Sequence, residues 1–177
     1  MKKVEMKNGK VVIIQEATKS EAQSMMDYYN LVGGETDFLS FGKNGYVREL
    51  KEYEEYLENT RKEENSIILV AKIDDEIVSI ASINSSQKAR TKHVGTLGIV
   101  VAEQYCGFGL GRILMAELIE WARNNGVTKK VSLVTREDNI RAIELYKKLG
   151  FVEEGLLKED TYINGVYYNT LLMGLMI

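Results

Sequence analysis

The stretch Ile99-Val-Val-Ala-Glu-Gln-Tyr-Cys-Gly-Phe-Gly-Leu-Gly-Arg-Ile-Leu114 decides how this chain is read. A β-branched apolar run enters three glycines at alternate positions, Gly107, Gly109 and Gly111, and an amphipathic helix pattern follows at once. Glycines at a strand-to-helix junction let main-chain N–H groups approach a ligand without a Cβ in the way. The unpaired N–H groups and the dipole of the first helical turn then favour an anion such as phosphate. The pattern predicts a binder of a phosphorylated cofactor. It is not a P-loop, because Arg112-Ile113 follows Gly111 where Lys-Ser/Thr would stand. Nor is it a dinucleotide fingerprint, whose glycines are spaced G-x-G-x-x-G rather than G-x-G-x-G.

A second block follows: Val131-Ser-Leu-Val-Thr135, then Glu137-Asp138-Asn139, then Ala142-Ile-Glu-Leu-Tyr-Lys-Lys-Leu-Gly-Phe151. It reads as a strand, a polar helix cap and a short helix closed by a Schellman stop at Gly150-Phe151. The two blocks together, within residues 99–151, resemble motifs A and B of the GNAT superfamily of acyl-CoA-dependent N-acetyltransferases. Motif A is Arg/Gln-x-x-Gly-x-Gly/Ala, and two registers fit it. Gln104, Gly107 and Gly109 match every letter. Cys106, Gly109 and Gly111 match the glycines but put Cys where Arg or Gln is usual. We adopt the second, because the final glycine should immediately precede the helix body. The ending, from Glu154-Gly-Leu-Leu-Lys through Tyr162-Ile-Asn-Gly-Val-Tyr-Tyr to Met173, is similar to the ribosomal-protein, polyamine and amino-acid acetyltransferases of that superfamily.

Composition narrows the function classes. The chain has 177 residues, 45% hydrophobic and 28% charged, as expected of one soluble globular domain spanning 1–177. No apolar run is long enough to span a bilayer, and Met1-Lys-Lys-Val-Glu-Met lacks the apolar core of a signal peptide, so a cytoplasmic protein is expected. One cysteine and one histidine exclude a disulfide framework and a His/Cys metal cluster. A net charge of −3, with no basic run interleaved with aromatics, argues against a nucleic-acid binder.

Along the chain, Lys2 to Thr18 reads as a hairpin turning at Lys7-Asn-Gly9, with Thr18 or Ser20 capping a first helix to about Leu31. Gly33-Gly34 and the loop Glu35 to Gly42 follow. Val47, Leu50, Tyr53, Tyr56 and Leu57 recur at helical spacing and predict a second helix to about Lys62. Strands at 66–73 and 77–83 flank the turn Asp74-Asp-Glu76, and a loop from Asn84 to Lys92 leads to the strand Val94–Val101. Leu110, Ile113, Leu114, Leu118 and Trp121 form one apolar face of the glycine-loop helix. Val166 to Ile177 reads as the last strand. The expectation is an α+β domain in three layers, a mixed and mostly antiparallel sheet of about seven strands with helices on both faces.

The resemblance implies site residues. Ile99, Val100 and Val101 would hydrogen-bond the pantetheine of acetyl-CoA through their main chain. Cys106, Gly107, Phe108, Gly109, Leu110, Gly111 and Arg112 would form the pyrophosphate loop. Asn139 would contact the cofactor; the competing reading is helix capping, which Asp138 could also provide, and the cofactor role is preferred. Tyr146 would protonate the departing thiolate. Many relatives place a glutamate on the strand before motif A as base, but Val94–Val101 carries no carboxylate. Glu35 and Asp37 match acidic positions near the acceptor, and Glu35 is the preferred base; His93, the only histidine, is the weaker candidate. Cys106 has no neighbouring histidine and reads as filler rather than nucleophile. The expected reaction is direct acetyl transfer to a primary amine, of a small molecule, an amino acid or a protein N-terminus. The alternative is a non-catalytic acyl-CoA sensor. Homodimers are common among the relatives, so a homodimer is compatible with the resemblance, but the sequence carries no reading of the oligomeric state.

Overall fold

Eight strands and four α-helices alternate through the computed structural model, which describes residues 1–177. In chain order they are β1 (Lys2–Glu5), β2 (Val11–Glu16), α1 (Ala22–Val32), α2 (Leu50–Thr60), β3 (Ile67–Ile73), β4 (Glu76–Ser85), β5 (Val94–Val101), α3 (Leu110–Asn124), β6 (Lys130–Arg136), α4 (Ile140–Lys148), β7 (Val152–Ile163) and β8 (Val166–Met176). They form one sheet in the order β1-β2-β3-β4-β5-β6-β8-β7. All neighbours are antiparallel except β5 and β6, which α3 connects by a crossover and so leaves parallel. Four consecutive residues of β4, Val78 to Ala81, are buried, so both its faces are covered, and it contacts both α1 and α3. No helix is long and apolar enough to cross a membrane.

Local chemistry explains the element ends. The Glu21 carboxylate accepts the Thr18 N–H at 2.8 Å, a capping-box contact on a single 3₁₀ turn that leads into α1. The β3–β4 hairpin turns on Asp74 and Asp75, both at positive φ, between the paired residues Ile73 and Glu76. α4 closes as expected: Phe151 N–H donates to the Tyr146 carbonyl and Gly150 N–H to that of Lys147, both at 3.0 Å, with Gly150 at φ +96°.

Three expectations are corrected. The sheet has an eighth strand, β7, no residue of which is buried, so it carries no apolar alternation to read. Its signal was the turn: Asn164 and Gly165 lie at positive φ between paired Ile163 and Val166. Val47 lies outside α2 and is 85% exposed; that helix starts at Leu50, where the Glu49 carboxylate accepts the Lys51 N–H at 2.9 Å. On α3 the buried stripe is Leu110, Leu114, Met115, Leu118, Ile119 and Ala122, with Ile113 and Trp121 at its margin.

Candidate functional site

β5 and β6 share only three register pairs, Val94–Lys130, Gly95–Val131 and Thr96–Ser132. Beyond these they part, β5 continuing along β4 to Val101 and β6 along β8 to Arg136. The result is a wedge opening at the C-terminal ends of two neighbouring strands. Main-chain groups alternate sides along a strand. The Gly95 carbonyl faces β6, accepting from Ser132 Oγ at 3.4 Å, so alternation turns Ile99 and Val101 to that same edge. There they have no strand partner, and Val101's carbonyl takes only the weak Cys106 thiol donor at 3.6 Å. Val100 does not join them. Its carbonyl accepts from Ser79 Oγ at 2.7 Å and from the Tyr28 hydroxyl at 3.1 Å, on the β4 side. The open edge therefore belongs to Ile99 and Val101 alone of the three expected residues.

The glycine loop sits at the mouth of this wedge. Gly107 and Gly109 both adopt φ +91°, and Gly109 is the N-cap of α3. Gly111 lies within the first turn, not ahead of the helix as the adopted register required. A Cβ there would touch Leu145, Val101 and Ile99 at 3.7–3.9 Å, ordinary contact distances that leave room for a methyl group. Lys7 N–H donates to the Phe108 carbonyl at 3.2 Å, pinning the β1–β2 turn onto the loop. The Lys7 stem passes 3.8 Å from where a Gly109 Cβ would stand, and the Arg141 guanidinium 3.3 Å from the corresponding point on Gly107. Lys7, Arg112 and Arg141 make no ion pair within the protein. Free cations beside a helix N-terminus and two Cβ-free positions suit the pyrophosphate of a coenzyme. Burial pushes the Cys106 thiol above its ordinary range, which disfavours a thiolate nucleophile.

α4 flanks the wedge through Leu145. The next residue, Tyr146, buries its ring against Phe151 at 6.1 Å between centroids, and burial pushes its phenol upward. No buried side-chain polar atom in the protein lacks a partner. The Tyr146 hydroxyl has none among the side-chain hydrogen bonds, so its oxygen meets an opening. Asn139 caps α4, with Oδ1 accepting the Ala142 N–H and Nδ2 donating to Thr135 Oγ1, each at 3.4 Å. Asp138 cannot take over the cap, because Arg136 holds it.

Arg136, the last residue of β6, was not legible as a site residue. It is 9% exposed and donates from Nε and Nη2 to the two Asp138 carboxylate oxygens at 2.9 and 2.5 Å. Its Nη1 donates to the Asp37 carbonyl at 3.1 Å, and its guanidinium lies 3.6 Å from the Tyr168 ring centroid and 4.8 Å from that of Phe38. The hydrogen bonds from Arg136 hold the Asp138 carboxyl below its ordinary range. A group so shifted contributes stability above its unfolded pKa and loses it as pH falls through the folded one. Wild-type Tm should thus decline more steeply below about pH 4 than that of Asp138→Asn; parallel acid limbs would show that the pair carries no linkage.

The preferred base is already engaged. Glu35 Oε2 accepts the Glu103 N–H at 2.8 Å, just beyond β5. His93 gives its carbonyl to Lys129 N–H at 2.8 Å, at the closed end of the wedge. The loop between α1 and α2 folds tightly on itself: a Cβ on Gly33 would stand 2.5 Å from the Gly42 carbonyl oxygen.

The model of the Acetyltransferase (GNAT) family matches residues 34–151, which takes in the wedge, the glycine loop and α4. The chain belongs to the GNAT acetyltransferase family. The crystal structure of a GNAT-family acetyltransferase from Streptococcus pneumoniae matches with a TM-score of 0.91 and 35% identity, over 94% of this chain and 99% of that one. L-amino acid N-acetyltransferase AaaT of Escherichia coli K12 is 36% identical over 105 residues, 59% of this GNAT chain and 65% of the relative's length. An N-alpha-acetyltransferase of Sulfurisphaera tokodaii is 28% identical over 92% of this chain and 97% of its own.

Proposed function

We propose that this GNAT protein transfers the acetyl group of acetyl-CoA directly to a primary amine, of a small molecule, an amino acid or a protein N-terminus. The observation that carries the reading is the unpaired edge of Ile99 and Val101 running into a glycine-lined helix N-terminus. An extended amide-bearing arm adds to such an edge as a strand does, through main-chain hydrogen bonds. The first turn of α3, with Lys7, Arg112 and Arg141 around it, takes the diphosphate. When bound, acetyl-CoA supplies a thioester whose carbonyl carbon bonds to the amine nitrogen as the C–S bond breaks. Tyr146 donates its hydroxyl proton to the departing thiolate and regains one from solvent, which in turn takes the proton that the amine sheds, so no net charge is left on the site. An α-amine with pKa about 8 is partly neutral at cellular pH, so transfer does not require a dedicated base. Asn139 supports the site by starting α4 in register.

The second reading, an acyl-CoA sensor without turnover, draws on the absence of a carboxylate from Val94–Val101 and on the engagement of Glu35. One experiment separates the two. Acetyl-CoA at a hundredfold excess over Kd should stabilise the fold by about 2.7 kcal/mol. Thiol should then be released when amino acids, polyamines, aminoglycosides or N-terminal peptides are added. Binding without release from any of these favours the sensor. No heat with acetyl-CoA, alongside tight NADH binding, overturns the cofactor assignment.

A further inference from the structure

We infer that residues 35–38 form a bridge across the open end of the wedge, and that Glu35 and Arg136, its two anchors, are positioning residues for the amine acceptor. The inference rests on the acetyltransferase reading of the wedge. One anchor is beyond β5, where the Glu35 carboxylate holds the Glu103 N–H at 2.8 Å. The other is the end of β6, where Arg136 holds the Asp37 carbonyl at 3.1 Å. Those are the strand ends that part after Thr96 and Ser132. Two residues of extended chain cover at most about 7 Å, so the bridge between Glu35 and Asp37 has little slack.

The chemistry of each anchor suits that role. Arg136 uses a planar fork on Asp138, a further donor on Asp37 and close contact with the Tyr168 and Phe38 rings. A lysine, with one compact ammonium, reproduces neither the fork nor the stacking. Phe38 remains 45% exposed, so the bridge presents an apolar ring at the opening while Arg136 fixes it from behind. The loop follows α1, whereas the glycine loop leads into α3, and the two helices reach β4 separately. With the coenzyme on the free edge of β5 and on the glycine loop, the bridge is the wall left at the parted strand ends, and its exposed Phe38 ring is what an entering acceptor meets.

The test uses Glu35→Gln, Glu35→Ala and Arg136→Lys in the full chain, with three readouts: amide exchange of residues 33–42 by mass spectrometry, acetyl-CoA affinity by calorimetry, and acceptor KM against kcat. Glu35→Gln keeps a carbonyl oxygen for the Glu103 N–H, so exchange and kcat should stay near wild type. Glu35→Ala and Arg136→Lys should free the segment to exchange and raise acceptor KM at least about tenfold, the order of effect expected when a positioning contact slips. Acetyl-CoA affinity should hold in all three. Loss of kcat in Glu35→Gln equal to that in Glu35→Ala makes Glu35 a base and overturns the inference. Unchanged exchange in Glu35→Ala, a half-buried loop position whose variants leave the core intact, overturns it independently of Arg136. A wild type that neither binds acetyl-CoA nor releases thiol fails the acetyltransferase reading instead, and the exchange result still decides whether the bridge is anchored as described.

Discussion

Tyr146→Phe lowers kcat and kcat/KM together by roughly 10²- to 10⁴-fold, the usual worth of a positioned proton donor. The substitution keeps the ring that packs on Phe151 and removes only an oxygen that makes no hydrogen bond within the protein. Tm and acetyl-CoA affinity should therefore stay near wild type. Burial raises the phenol pKa, so Tyr146 keeps its proton throughout the range in which amines become neutral. The wild-type kcat profile should accordingly show no alkaline fall from this group below about pH 10. A purely packing role predicts the reverse pattern, a lower Tm with ordinary turnover. Near-normal kcat in Tyr146→Phe, under conditions where chemistry limits the rate, would remove Tyr146 from the mechanism.

Gly109→Val should abolish measurable acetyl-CoA binding while the protein still folds. Gly109 caps α3 at φ +91°, a conformation that a β-branched residue adopts only under strain of about 1–3 kcal/mol. A domain of ordinary stability tolerates that cost. The loop does not, because relaxing the strain rotates the N–H groups of the first turn away from the diphosphate and pulls Phe108 off Lys7. Gly111→Ala is the control. Its Cβ would meet Leu145, Val101 and Ile99 at ordinary contact distance, so affinity should change little. Calorimetry on both variants checks the pair, and wild-type affinity in Gly109→Val would place the diphosphate elsewhere.

The parts that the sequence made legible were those set by local chemistry. The β5 boundaries, the Gly150 helix stop and the Asp74-Asp75 turn each depend on residues within a few positions of one another. The glycine loop was legible for the same reason, although the place of Gly111 inside α3 was not. What escaped depends on partners far along the chain. Val100 was grouped with Ile99 and Val101 because nothing in a strand's sequence tells which edge its carbonyls face. Only Ser79 and Tyr28, brought in by β4 and α1, decide it. Glu35 is a base candidate through its match to an acidic position near the acceptor in the resembling proteins, yet its carboxylate accepts from Glu103, 68 residues away, a contact no local pattern reveals. Arg136 passed as an ordinary strand end because its partners Asp37, Phe38 and Tyr168 come from other segments. β7 was missed because an exposed edge strand has no buried face to pattern its residues.

The short pairing between β5 and β6 also bears on how the molecule comes apart. Strands β1 to β5 lie side by side in chain order, and β6, β8 and β7 form a second antiparallel group. Three register pairs are the whole seam of ladder between them. Local opening follows the places with the fewest cooperative bonds, so in the empty protein the two halves of the sheet should part along that seam before either half frays. A molecule that bonds to the free edge of β5 lengthens the seam from outside the chain. On the proposed binding mode the coenzyme is a staple, and resistance to unfolding should rise with the acetyl-CoA concentration around the protein.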